Sequence, residues 1–111
     1  MDKLDAETID TLKEVLGDEF GLLMETFLED VPVKLKQLNE AVQQNDVEAL
    51  ERLAHTLKGS SGNIGAHALS SACATMVNAC RQKDTEQAAG QLDSIIAEFE
   101  AVRPALEALK T

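Results

Sequence analysis

His55 is followed by Lys58 and Gly59 within the run His55-Thr56-Leu57-Lys58-Gly59-Ser60-Ser61-Gly62, and this is where the sequence has the means to do chemistry. Neutral imidazole is nucleophilic near pH 7 and forms covalent intermediates, which is how a histidine accepts a phosphoryl group. A lysine one helical turn away can pair with the phosphoryl oxygens. Leu50, Leu53, Ala54 and Leu57 recur at helical spacing and mark a buried stripe. At 100° per residue His55 falls roughly 130° from the centre of that stripe, with Glu51, Lys58, Gly59 and Gly62 around it, and so it faces water. A glycine on that face costs about 1 kcal/mol relative to alanine and adds no packing. What Gly59 offers is room for another molecule to reach the imidazole.

Taken singly, each residue has a plainer explanation: a surface histidine is usually just solvated, a lysine solubilising, and a glycine near a helix end a cap. Gly59 lies too far from the Gly62-Asn63-Ile64-Gly65 turn to be its cap, and the three residues coincide on one face. The rest of the chain offers less. His67 falls on the polar side of the next helix near its start, where imidazolium is disfavoured, and no role is expected of it. Cys73 and Cys80, seven residues apart on one helix, are about 10 Å apart in rise, too far for a disulfide. They are expected to be buried, reduced and inert. No third or fourth ligand accompanies them, so a metal site is not expected.

The composition narrows the function. Asp+Glu number 20 against Lys+Arg 10, a net charge of −10, the wrong sign for holding nucleic acid or an anionic membrane. With three Phe and no Trp or Tyr, a stacking platform for single-stranded nucleic acid is also absent. The acid is uneven: Met1–Asp46 carries 12 acids against 4 bases, whereas Val47–Lys83 carries 2 against 4 and is the one net basic stretch. That basic stretch contains His55. A P-loop is missing, and 111 residues leave no room for an ATP-binding domain beside the bundle, so self-phosphorylation from ATP is not expected. No signal peptide or membrane-spanning run is present, and a cytoplasmic protein is expected.

The elements that position these residues all follow helical periodicity. Asp5 can cap a first helix, with Leu4 stapled to Ile9, whose inward side carries Ile9, Leu12, Val15 and Leu16 until Gly17 ends it. Asp18 is placed to cap a second, striped from Phe20 to Val42, in which Pro32 predicts a kink or short break. Asn45 stops that helix and Asp46 caps a third, running to about Ser61. A fourth starts near Ala66. A fifth starts at Asp84, with Gln87 closing a capping box; it carries Ile95, Ile96 and Phe99 inward, and Pro104 is placed to end or kink it early. These helices predict an all-α fold: an antiparallel four-helix bundle with a short additional N-terminal helix, in a single domain over residues 1–111. Helices at both ends predict a free-standing protein.

The stretch Ala54-His55-Thr56-Leu57-Lys58-Gly59-Ser60-Ser61, followed by Gly62-Asn63-Ile64-Gly65-Ala66, resembles the signature of the histidine-containing phosphotransfer (HPt) domains of bacterial two-component phosphorelays. The resemblance implies a phosphoryl carrier, not a self-sufficient enzyme. His55 would be the acceptor, Lys58 would steady the phosphoryl group, and Glu51, Gly59 and Gly62 would belong to the surface that a partner docks on. It implies response-regulator receiver domains as partners, including those of hybrid sensor histidine kinases, with Mg²⁺ on the receiver and no cofactor on this chain. A monomer that binds neither nucleic acid nor membrane is expected. Some members carry a Gln on the following helix that contacts the imidazole; ungapped counting puts Val77 there, with Thr75 and Asn78 as neighbours. Two other classes compete. A bundle that regulates a partner by binding alone would use the same fold, and His55 with Lys58 and Gly59 argues against it. A metal or haem bundle needs inward ligands, and neither histidine points inward.

Overall fold

Asp5, Asp46 and Asp84 stand immediately ahead of helical segments and accept from the backbone N–H of Glu7, Ala49 and Gln87, each at 3.1 Å. Those bonds satisfy amides that a first turn leaves unpaired. In the computed structural model, which describes residues 3–110, the helices started in this way are α1 (Ala6–Leu16), α3 (Val47–Asn63) and α5 (Thr85–Leu109). Between them lie α2 (Phe20–Gln43) and α4 (His67–Arg81). At Asp84 only half of the expected capping box forms, because its own N–H is committed to the Ala79 carbonyl at 2.9 Å.

Three corners share one geometry. After α2, α3 and α4, the residues Asn45, Gly65 and Lys83 adopt φ of 53°, 83° and 60°. In each case the next residue donates back across the corner: Asp46 to Ala41, Ala66 to Ser61 and Asp84 to Ala79, all at 2.9 Å. This is the Schellman closure, which needs a left-handed residue and recovers carbonyls orphaned at a helix end. Repeated three times, it turns successive helices antiparallel. α2 to α5 pack each against its neighbours in sequence, and α5 closes back on α2. The resulting rod measures 42 × 21 × 20 Å.

The core is aliphatic apart from three phenylalanines, of which Phe27 and Phe99 meet at 6.4 Å between α2 and α5. Leu4 and Ile9 are both buried, as a staple requires. α1 lies across the end of the bundle where α3 turns into α4. There the Asp5 N–H donates to the Gly65 carbonyl at 2.9 Å, and Asp5 Oδ2 lies 3.1 Å from His67 Nε2. That contact, with further hydrogen bonds from Thr8 and Glu7, holds the Asp5 carboxyl below the usual carboxylate range. His67 therefore does have a contact, a structural one that ties α4 to the cap of α1.

Several expectations from the sequence are corrected. Asp18 does not cap α2: Gly17–Glu19 form a 3-10 turn, and the residue before α2, Glu19, is already in helical conformation with no side-chain capping bond. Neither Pro32 nor Pro104 ends its helix. Buried Val31 and Leu38 flank the first, and buried Val102 and Leu106 the second. Packing on both sides outweighs the roughly 3 kcal/mol that an interior proline costs. Val15 and Ile96 face outward, at 74% and 38% exposure. Val15 lies about 120° round the helix from Ile9, and Ile96 about 80° from the centre of the stripe through Ile95 and Phe99. α3 also continues past Ser61 to Asn63.

Candidate functional site

Leu50, Leu53, Ala54 and Leu57 pin α3 into the core, and that rotation turns His55 outward, where it is exposed. The site is built on the middle of a helix fixed by packing on one side, which fixes the backbone that carries the imidazole without a loop. Lys58 is half-buried. Its carbonyl accepts from the Ser70 hydroxyl at 2.9 Å, tying the backbone here to α4. Among the described residues its ammonium makes no ion pair. The charge is thus available to an incoming anion on the face that carries His55.

Gly59 is exposed, has an ordinary helical backbone, and a Cβ built on it would meet nothing within 4 Å. Neither backbone strain nor close packing accounts for a glycine there. Gly62 differs. A Cβ at Gly62 would lie 3.4 Å from Ser70 Oγ, so this half-buried residue borders the seam between α3 and α4. Sequence reading grouped the two glycines on one face, and only the second touches α4.

Arg81, at the end of α4, is the residue that sequence reading missed. Its Nε donates to Glu51 Oε2 at 3.2 Å, and Glu48, Glu51, Arg52, His55 and Arg81 together line one shallow depression. The signal was present but needed register. α3 and α4 run antiparallel about a tight corner, which places 58 beside 70 and so 51 near 77, one turn short of Arg81, whose long side chain reaches back to Glu51. The depression thus sets two guanidinium groups and two carboxylates beside the imidazole, and Lys58 follows one turn further along α3.

From α4, Val77 presents only a buried aliphatic side chain. Thr75 donates its hydroxyl to the Ser71 carbonyl at 3.1 Å, which commits its one donor locally. Cys73 and Cys80 are free and buried. Burial pushes the Cys73 thiol up to about 12, and burial together with the Glu51 charge pushes the Cys80 thiol up. Neither is a thiolate near neutral pH, so neither competes with His55 as a nucleophile. A larger, mainly apolar depression lies between α1, α2 and the end of α3, lined by Leu12, Leu23, Phe27 and Ile64 among others, and does not include His55. No helix of the described residues is long and apolar enough to cross a membrane. No group of three or more metal-ligating side chains is placed to hold an ion among them.

An exposed imidazole on a packed helix, with an unpaired lysine one turn away and a gap left by a glycine, can take up an anionic electrophile presented by another surface. Comparison with known proteins agrees with that chemistry. A sequence profile of the Hpt domain matches residues 22–110. The crystal structure of histidine-containing phosphotransfer protein B (HptB) from Pseudomonas aeruginosa PAO1 superposes with a TM-score of 0.94 at 31% identity, covering 97% of this chain and 94% of that one. A search of curated protein sequences gives no significant match.

Proposed function

The chain belongs to the Hpt domain family, and on that premise we propose that it is a phosphorelay carrier that takes a phosphoryl group from the phospho-aspartate of one receiver domain onto His55 and passes it to another. The observation that carries the proposal is the setting of His55, exposed at mid-helix with Lys58 unpaired beside it and open space over Gly59. A neutral imidazole nitrogen attacks phosphorus, the P–N bond forms, and the P–O bond to the aspartyl carboxylate breaks, releasing that carboxylate. The reverse step at a second receiver returns the imidazole. Lys58 balances the charge on the phosphoryl oxygens in both directions.

The chain's own contribution is positioning. Phosphoryl transfer needs the nucleophile in line with the leaving oxygen, and a histidine held by a packed helix supplies that without rearrangement. Mg²⁺ and the acidic cluster that binds it would come with the receiver. The carrier would act as a monomer in the cytoplasm, with receivers, including those of hybrid sensor kinases, docking over Glu51 and Gly59.

Mixing the protein with a phosphorylated receiver domain, without ATP, tests this reading. Label should leave the receiver and appear on this chain as acid-labile, alkali-stable phosphate, and an unphosphorylated receiver added later should draw it off. If label is lost only to water while the chain stays unlabelled, the chain is a binding partner alone.

A further inference from the structure

We propose that Glu51 and Arg81 form a charge-exchange pair, in which Arg81 leaves Glu51 for the phosphoryl oxygens once His55 is modified and so sets the lifetime of the phosphorylated state. The proposal rests on the reading of His55 as the acceptor. Three observations carry it. Arg81 Nε lies 3.2 Å from Glu51 Oε2, so the guanidinium is already held at the edge of the depression that contains His55. Glu51 and His55 are four residues apart on α3, which puts their Cβ atoms about 5–6 Å apart, within the swing of an arginine side chain. Finally, the bridge is exposed, with the two side chains 57% and 38% accessible, and an ion pair in that setting is weak and readily exchanged.

A phosphoryl group changes the balance. It brings a charge of about −1.5 to −2 and three acceptor oxygens, against one charge on Glu51. A planar guanidinium can engage two of those oxygens at once. Lys58 approaches from the following turn of α3 and Arg81 from across α4, so the two cations would hold the group from different sides. Arg52 lines the same depression, but it also lines a second one with Gln37 and Glu40 of α2, and so it stands on the α2 side. In hydrolysis by water, with no receiver Mg²⁺ present, the P–N bond loosens toward a metaphosphate-like state and electron density moves from the phosphoryl oxygens to the departing imidazole. A cation bound to the dianion therefore slows the loss, and an acid that competes for that cation speeds it.

The test is a double-mutant cycle on phosphohistidine lifetime, using potassium phosphoramidate as donor so that no receiver is involved, with decay followed by ³¹P NMR. Arg81→Ala should shorten the lifetime by up to about fivefold, and Glu51→Gln should lengthen it. In the Arg81→Ala background Glu51→Gln should have no effect, because the acid acts only through the arginine. Circular dichroism and thermal melts check that each variant is folded. An unchanged lifetime in Arg81→Ala, or a Glu51→Gln effect of equal size in both backgrounds, would overturn the exchange while leaving His55 as acceptor. Shortening in Arg52→Ala with none in Arg81→Ala would also overturn it. If the wild-type protein takes no phosphate on His55 even from a phosphorylated receiver, the underlying reading of His55 falls instead.

Discussion

Gly59 separates two accounts of a glycine in a helix. If the fold required it, a side chain there would clash or force strain; the open space around it and its ordinary φ say otherwise. Gly59→Ala is accordingly predicted to raise stability by up to about 1 kcal/mol, the helix-propensity difference. Gly59→Gln should leave the bundle folded but slow transfer between receiver and carrier, because the longer side chain occupies the approach to His55. Melts of both variants beside transfer assays check this. Loss of stability with normal transfer per folded molecule would assign the glycine to the fold. At this scale the sequence was largely legible, since an exposed histidine among polar residues follows from the angle between His55 and the Leu50–Leu57 stripe. Arg81 was not legible, since its place beside Glu51 depends on a pairing between helices that periodicity within one helix cannot supply.

The helices themselves were readable where a cap or an apolar stripe is local, as at Asp5, Asp46 and Asp84. They were misread where tertiary packing overrides a local rule. Pro32 read as a kink or short break and Pro104 as an end or kink, because proline loses a backbone bond; neither interrupts its helix, and both lie between buried residues that keep it going. The corners divide in the same way. Asn45 is a common left-handed stop and was recognised, whereas Lys83 adopts φ of 60° with a side chain that disfavours it. Lys83→Gly is therefore predicted to stabilise the protein, by up to about 1 kcal/mol if relief of the left-handed strain dominates. Gly65→Ala should destabilise it. Gly65 has φ of 83°, and a Cβ would come within 3.2–3.3 Å of Thr8 and Asp5, where α1 is seated. Urea melts of the two variants give the signs. Equal losses in both would mean that the corners do not share the strain that their geometry implies.

In the whole molecule, the bundle's task is to hold one face of α3 fixed and open. α2, α4 and α5 bury the other side of that helix in an aliphatic core, and α1 clamps the corner at its C-terminal end. The net charge of −10 sits mainly outside the stretch that carries His55, which leaves a locally cationic site on an acidic rod. Such a distribution suits a carrier that must attract a phosphoryl group at one place and stay soluble elsewhere. A single histidine on that face is predicted to receive the phosphoryl group. The direct measurement is peptide mapping of label after incubation with a phosphorylated receiver, on the wild-type protein, His55→Gln and His67→Gln. Label should map to His55 in the first and persist in the third, and it should be absent from His55→Gln with helicity unchanged. Label that persists in folded His55→Gln, or that is lost in His67→Gln, would contradict the account.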